Sequence, residues 1–340
     1  MIEAAPLVTG CVVIAAVALD FVNGFHDAAN SIATIVATRV LKPVHAVLWA
    51  SFFNFAALFL FGSGVASMVG SGLIALNTVT PLVILSGLIG AVAWGLITWR
   101  LGLPTSSSHA LIGGYAGAAM ANNVLHHGWG AAFNSVIVAG WGPTILFIVV
   151  APVLGLVLAE VLMRLVMIVF HKTRSEKNIR RFGRLQLGSS AFLSLMHGSN
   201  DAQKTAGIIA GALVAGGYSD HFVVPIWVLW ISYGTMALGT LVGGWRIVRT
   251  MGERLTRLNP ASGFCAETSA ALSILLATLL HLPVSTTQTT TGAIIGVGAA
   301  RRLRAVRWNV AGRIAWAWVF TIPAAAGIGA VVMVAGFFAT

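Results

Sequence analysis

Three ionisable residues, Asp27, Asp201 and Lys204, stand inside long apolar runs. An ionised side chain near a bilayer centre costs several kcal/mol even on lenient scales, so such residues face protein or water and mark an ion or substrate path. Asp27 lies in Gly24-Phe-His-Asp-Ala-Ala-Asn-Ser31, which also carries His26 and Asn30, and Asp201 lies in Gly198-Ser-Asn-Asp-Ala-Gln-Lys-Thr205, which carries Asn200 and Lys204. A second pair of motifs is rich in hydroxyls: Leu103-Pro-Thr-Ser-Ser-Ser108 and Leu282-Pro-Val-Ser-Thr-Thr287. Pro followed by Ser and Thr reads as a helix start, because Pro lacks an amide that would be orphaned and hydroxyls cap those that are. At membrane depth such a start is a broken helix. Its amides, its positive dipole end and the hydroxyls of Thr105, Ser106, Ser107, Ser108, Ser285, Thr286 and Thr287 are donors for an anion without fixed positive charge.

The elements that position these groups follow from composition. The chain has 340 residues, of which 58% are hydrophobic and 9% charged, with a mean hydropathy of +0.91; soluble domains carry roughly 25% charged residues. Apolar runs of about 17 to 30 residues recur along it, the length of helices crossing a hydrocarbon core of roughly 30 Å. The expected fold is an all-α polytopic membrane protein of about 10 (10–12) spans, at 8–38, 44–69, 80–100, 104–122, 143–170, 186–215, 225–246, 259–281, 284–300 and 314–338. Spans 104–122 and 284–300 are alternatively re-entrant. No Lys or Arg precedes Arg39, so the first run reads as a retained span and not a cleaved leader. Cys11 and Cys265 offer neither metal spacing nor a disulfide framework.

The net charge of +11 has a topological meaning. Of the 20 Lys and Arg, 18 fall in alternate connections, around 39–42, 100, 172–184, 246–257 and 301–313, and the connections near 70–79, 123–142 and 216–224 hold none. By the positive-inside rule both termini lie outside, and the basic loops are topological determinants and no nucleic-acid surface. The acidic motif precedes the hydroxyl motif by 77 residues in the first half (Asp27 to Pro104) and by 82 in the second (Asp201 to Pro283). With five spans per half, the second copy enters from the opposite face. The expected organisation is repeat 1 over 1–170, a short basic cytoplasmic loop over 171–185, and an inverted repeat 2 over 186–340, the arrangement that opens one central site alternately to either side. The glycines after each hydroxyl motif, Gly113, Gly114 and Gly117 and Gly292, Gly296 and Gly298, permit close helix packing.

Together, GFHDAANSIAT, HGSNDAQKTAG, LPTSSSHALIGG and LPVSTTQTTTGAIIG resemble the inorganic phosphate transporter (PiT) family over about residues 10–335. The resemblance implies a secondary transporter in a membrane lipid setting that carries inorganic phosphate inward with a coupling cation, as a homodimer. It places Asp27, Asn30, Asn200 and Asp201 in the ion and substrate region, with Ser106 to Ser108 and Ser285 to Thr287 lining the phosphate site. Sodium-coupled members show Asn-Asp followed by Asn three residues on; here His26 precedes Asp27, and Lys204 replaces the second Asn. These departures resemble the bacterial proton-coupled branch, similar to transporters that move phosphate as a neutral divalent-metal complex. They imply a bacterial inner-membrane protein with a coupling proton, sodium being the weaker reading, and no further cofactor; no metal ligands are assigned.

Glu267 is a further proton-site candidate, and His26, Asp27, Asp201 and Lys204 are the coupling residues. His109 aligns with Gln288 and reads as a hydrogen-bonding residue; Asp20 as a helper of the site; Glu160 and Arg164 as an i,i+4 ion pair. A sulfate permease on the same scaffold is the main alternative. Phosphate at neutral pH keeps a proton to donate to Asp27 or Asp201, whereas sulfate leaves an aligned acid as an unpaired, repelling charge. An intramembrane hydrolase using Ser106, Ser107 or Ser108 with His109 and an Asp is a remote alternative. It lacks a nucleophile elbow, and adjacent residues rarely meet the geometry of a triad.

Overall fold

Backbone crossing hydrocarbon has to satisfy its amides and carbonyls within its own segment, and the helix is the form that does so. A computed structural model describes residues 4–75, 79–170 and 175–339, and these fold into twelve helices with one isolated antiparallel bridge, Ile74 to Val136. The first six are α1 (Ala4–Ala37), α2 (Pro43–Ala56), α3 (Gly64–Ser67), α4 (Pro81–Leu101), α5 (Ser107–His127) and α6 (Val138–Val169). The second six are α7 (Glu176–Ala215), α8 (Ile226–Val242), α9 (Trp245–Arg249), α10 (Pro260–Leu279), α11 (Thr286–Arg301) and α12 (Trp308–Ala339). Each set runs in the same order: a long helix, a bent pair, a helix ended by a Leu-Pro break, the helix after the break, and a long helix with internal proline.

Helices α1, α4, α6, α10 and α12 are long and apolar enough to cross a membrane, and the two bent pairs, folded by 82° at α2/α3 and by 63° at α8/α9, raise that number to as many as seven among the described residues. Helices α5, α7 and α11 carry polar motifs, as α1 also does at Gly24–Ser31, and α11 is only 16 residues long. The connection expected at 171–185 is helical from Glu176 onward. Ser175 caps α7 by accepting from the Asn178 amide at 3.4 Å, Glu176 sits in the first turn, and Lys and Arg are good helix formers. High charge there signals a solvated helix face; Lys172 and Arg174 of that connection lie outside the described residues.

Glycines set the close crossings. Helix α1 crosses α8 at Gly24, where a Cβ would overlap the Met236 carbonyl, and α7 crosses α2 at Gly198, where it would overlap the Asn54 carbonyl. Both are the motif glycines three residues before an Asp. After the breaks, Gly113 and Gly117 of α5 lie against backbone of α12 at Ile322 and Ala326, and Gly292 and Gly296 of α11 against α6 at Pro152 and Leu156. These are two small-xxx-small contacts, each joining a broken helix of one set to the proline-bearing helix of the other. Helices α6 and α12 are largely exposed on their outer faces, and the motif segments of α1, α5, α7 and α11 are buried between them.

Candidate functional site

The two breaks are built alike. Helix α4 closes on Gly102 (φ 65°) and α10 is followed by His281 (φ 60°), both left-handed, and each is followed by Leu-Pro. The next helix is capped by a serine: Ser106 Oγ accepts from the His109 amide and Ser285 Oγ from the Gln288 amide, both at 3.1 Å. Pro104 and Pro283 thus stand two residues before the cap, not in the first turn, and the Ser106 and Ser285 hydroxyls serve the backbone. The residue before each motif Asp tethers a break. His26 Nε2 lies 3.2 Å from Thr98 Oγ1 and 3.5 Å from Thr105 Oγ1, and Thr105 donates to Thr98 at 2.8 Å. Asn200 Nδ2 donates to Thr278 Oγ1 and to the Leu282 carbonyl, both at 3.1 Å, while its Oδ1 accepts from the Val284 amide at 3.2 Å.

Asp27 is buried and has both oxygens engaged: Oδ1 lies 2.7 Å from His26 Nδ1, and Oδ2 accepts from Ser107 Oγ at 2.8 Å. Asp201 is its counterpart. Its Oδ1 is ion-paired with Lys204 Nζ, and its Oδ2 accepts from Thr286 Oγ1 at 2.8 Å and lies 3.1 Å from His197 Nε2. The Lys204 ammonium, only 3% exposed, also donates to Ser108 Oγ and, at 2.7 Å, to the Val284 carbonyl. Asn30 links the halves: its Nδ2 donates to Thr287 Oγ1 at 2.9 Å and Thr286 Oγ1 at 3.2 Å, while its buried Oδ1 has no partner among the described residues. Ser107, Ser108, Thr286 and Thr287 therefore converge with Asp27, Asn30, Asp201 and Lys204 in one buried network.

The space beside these groups is small. One gap lined by His26, Thr105, Ser106 and Ser107, and another by Ser107, Ser108, Asp201 and Lys204, measure about 10 Å³ each. That is about one water probe, so an anion as large as a tetrahedral oxyanion enters only as these side chains separate.

Glu267 lies elsewhere. It accepts from Thr34 Oγ1 at 2.6 Å, Gln186 Nε2 at 2.9 Å and Ser189 Oγ, and Thr34 is two turns, about 10 Å, along α1 from Asp27. Asp20 accepts from Thr205 Oγ1 at 2.7 Å, and Thr205 lines the gap shared by Ser107, Ser108, Asp201 and Lys204. His109 Nδ1 lies 3.2 Å from Gln288 Nε2, so the two aligned residues hydrogen-bond each other across the halves. The Glu160–Arg164 pair forms as expected. Sequence reasoning missed His197, which touches Asp201, Ser31 and Asn54. Its signal was its position four residues before Asp201, one turn along the same face. The hydrolase set is not assembled among the described residues: the His109 ring faces Gln288 Nε2, while Ser107 donates to Asp27, Ser108 donates to the Val284 carbonyl, and Ser106 Oγ accepts from the His109 backbone amide.

Fold and site together define an integral membrane protein whose polar core joins two sets of helices around a pair of buried carboxylates. The description "Phosphate transporter family" (PHO4) matches residues 23–182 and 169–329, and the chain belongs to that family. It is 51% identical over 326 residues, 96% of this chain and 95% of the relative, to a "Probable low-affinity inorganic phosphate transporter" of Rhizobium meliloti. It is 39% identical to one of the same description from Bacillus subtilis, covering 96% of both chains. A solved structure, "The sodium-dependent phosphate transporter", superposes with a TM-score of 0.86 at 26% identity, over 98% of this chain and 99% of the other. These relatives are named as transporters and not as enzymes.

Proposed function

We propose that this chain is a proton-coupled symporter that imports inorganic phosphate across a bacterial inner membrane, working as a homodimer by alternating access. One observation carries the reading: the acidic and hydroxyl motifs of both halves meet in a single buried network, in which each carboxylate already holds a hydroxyl from a broken helix. Loading a proton onto a carboxylate weakens its hold on that hydroxyl and frees the hydroxyl for a phosphate oxygen. The neutralised acid then permits the loaded carrier to reorient without an uncompensated buried charge. Inverted halves 1–170 and 186–340, joined through a short basic cytoplasmic connection and with both termini outside, account for the crossed pairing of α5 with α12 and α11 with α6.

Proton coupling is supported by the contacts of Lys204. Its ammonium takes oxygens from Asp201, Ser108 and Val284, a set that a bound monovalent cation would otherwise use, and His26 supplies a titratable group to Asp27. Sodium coupling belongs to the structural neighbour by its description. A second reading concerns cargo. Ligand atoms of Asp27, His197 and Asp201 lie within 4.8 Å of one another, and Asn30 Oδ1 is an orphaned acceptor nearby, so a divalent metal carried with phosphate as a neutral complex has hard and borderline ligands to meet. The carboxylates favour phosphate over sulfate, since only phosphate retains a proton to donate. Counterflow of radiolabelled phosphate in proteoliposomes, competed with sulfate and with pH and sodium gradients imposed separately, tests the reading. Phosphate competing far better than sulfate, with accumulation on the pH gradient alone, is expected; sulfate-selective exchange or an absolute sodium requirement overturns it.

A further inference from the structure

A large cavity lies outside this network. It measures about 700 Å³ and is lined by Arg257, Arg301, Arg302, Arg304 and Arg307, with Met163 and Met167 of α6 on one wall, and no carboxylate among its lining residues. The positive-inside rule asks only that basic residues lie on one side of the membrane; it does not ask that five guanidiniums face one concavity. Their frame is fixed by backbone. Arg307 N donates to the Leu255 carbonyl at 2.9 Å, Thr256 Oγ1 to the Ala305 carbonyl at 3.1 Å, and Arg301 Nη1 to the Arg257 carbonyl at 3.0 Å, which ties the segment before α10 to the segment between α11 and α12. The corresponding connection of the first half, 128–137, holds no basic residue. A second basic concavity, on the first turns of α7, is different: Lys177, Arg180, Arg181 and Arg184 come from one helix, and Arg180 has Glu176 at 3.9 Å.

We propose that this cavity is an anion site, separate from the transport network, that takes phosphate groups from an acidic phospholipid headgroup or from free inorganic phosphate. Guanidiniums converging on one cavity, with no carboxylate in its lining among the described residues, favour an anion between them, and the planar fork of arginine matches phosphate oxygens two at a time. The volume exceeds what one phosphate fills, and the methionine wall sits on α6, whose neighbouring Val157, Val161 and Leu165 are exposed along the apolar surface where acyl chains run. Basic pockets at helix ends are recognised lipid-headgroup sites.

The test uses the full chain in phosphatidylcholine nanodiscs, with binding read by native mass spectrometry and by thermal unfolding, in two arms: added tetraoleoyl cardiolipin, and added inorganic phosphate. Arg304→Gln/Arg307→Gln removes two forks from the cavity, and Arg180→Gln/Arg181→Gln removes the same charge from α7. Losing charge-assisted contacts weakens binding about tenfold or more. The cavity variant is expected to lose at least that factor in one arm, which identifies the source, while the α7 variant binds like wild type. If the glutamine variant does not fold, Arg304→Lys/Arg307→Lys keeps the charge, removes the forks, and is expected to weaken the same arm. Unchanged binding in the cavity variants, or equal loss in the α7 variant, overturns the site. The cardiolipin arm reads no transport, so it stands or falls apart from the symport reading.

Discussion

The Asp201–Lys204 pair permits a quantitative test of what the buried charges do. Both side chains are inside the protein, with Asp201 fully buried. Lys204→Met keeps the stem volume and removes the ammonium. Ser108 Oγ still donates to the Val284 carbonyl at 3.0 Å, so these two groups keep a partner. Asp201 loses its countercharge: it is left a buried carboxylate with the Thr286 hydroxyl and His197 Nε2 as its contacts. Breaking one side of a buried pair in this way costs about 3–5 kcal/mol, whereas removing both charges is often close to neutral. Asp201→Asn/Lys204→Met is therefore expected to recover most of the stability that Lys204→Met loses, giving a coupling of about 2 kcal/mol or more in a double-mutant cycle. Denaturant unfolding of the detergent-solubilised protein measures it. The double variant folds but is expected to fail in gradient-driven accumulation, because one of its two acids is gone. Additive losses in the cycle would refute the buried-pair argument, and a double variant that accumulates phosphate normally would reduce the pair to packing.

Asp27→Asn keeps an acceptor for Ser107 but removes the titrating acid, so phosphate exchange between equal pools should persist while accumulation on an inward pH gradient is lost; normal accumulation would shift the coupling role to Glu267. In a Cys11→Ser background, cysteines placed at the exposed residues Asn134 and Asp220 should react with an impermeant reagent from outside and one at Asn309 only from inside; labelling of all three from one side would remove the inverted arrangement. Gly117→Val places a branched side chain on the Ala326 backbone and should destabilise by several kcal/mol in the manner of overpacking, while Gly10→Val, with nothing within 4 Å of its Cβ position, should leave thermal stability nearly unchanged.

The fold class was legible because hydropathy and the paired motifs carry it. Asp27 with Ser107, and Asp201 with Thr286 and Lys204, were legible because motifs of matched order and spacing report a shared site. What sequence left open is local and three-dimensional. The breaks begin two residues later than proline suggests, because the left-handed residue and the Leu-Pro step take up the chain before a serine can cap. Ser106 and Ser285 accept from backbone amides of their own helices, and Asn200 ties Thr278 and the backbone at Leu282 and Val284, partners that spacing does not encode. The charged run at 176–184 reads as loop by polarity, although its residues favour helix once solvated. Glu267 resembles a site acid by type; its contact with Thr34, two turns along α1 from Asp27, is visible only in the packing of α10 against α1 and α7.

The central claim is that one anion is held by hydroxyls from both broken helices, and equilibrium phosphate binding by Ser107→Ala, Thr286→Ala and the double variant tests it most directly. Each hydroxyl leaves a carboxylate for a phosphate oxygen, so each alanine costs the lower end of a charge-assisted bond, about 1.5 kcal/mol, or roughly tenfold in Kd. The account predicts a similar loss from either side and about a hundredfold in the double variant if the two sites are independent. Wild-type affinity in the double variant would contradict it.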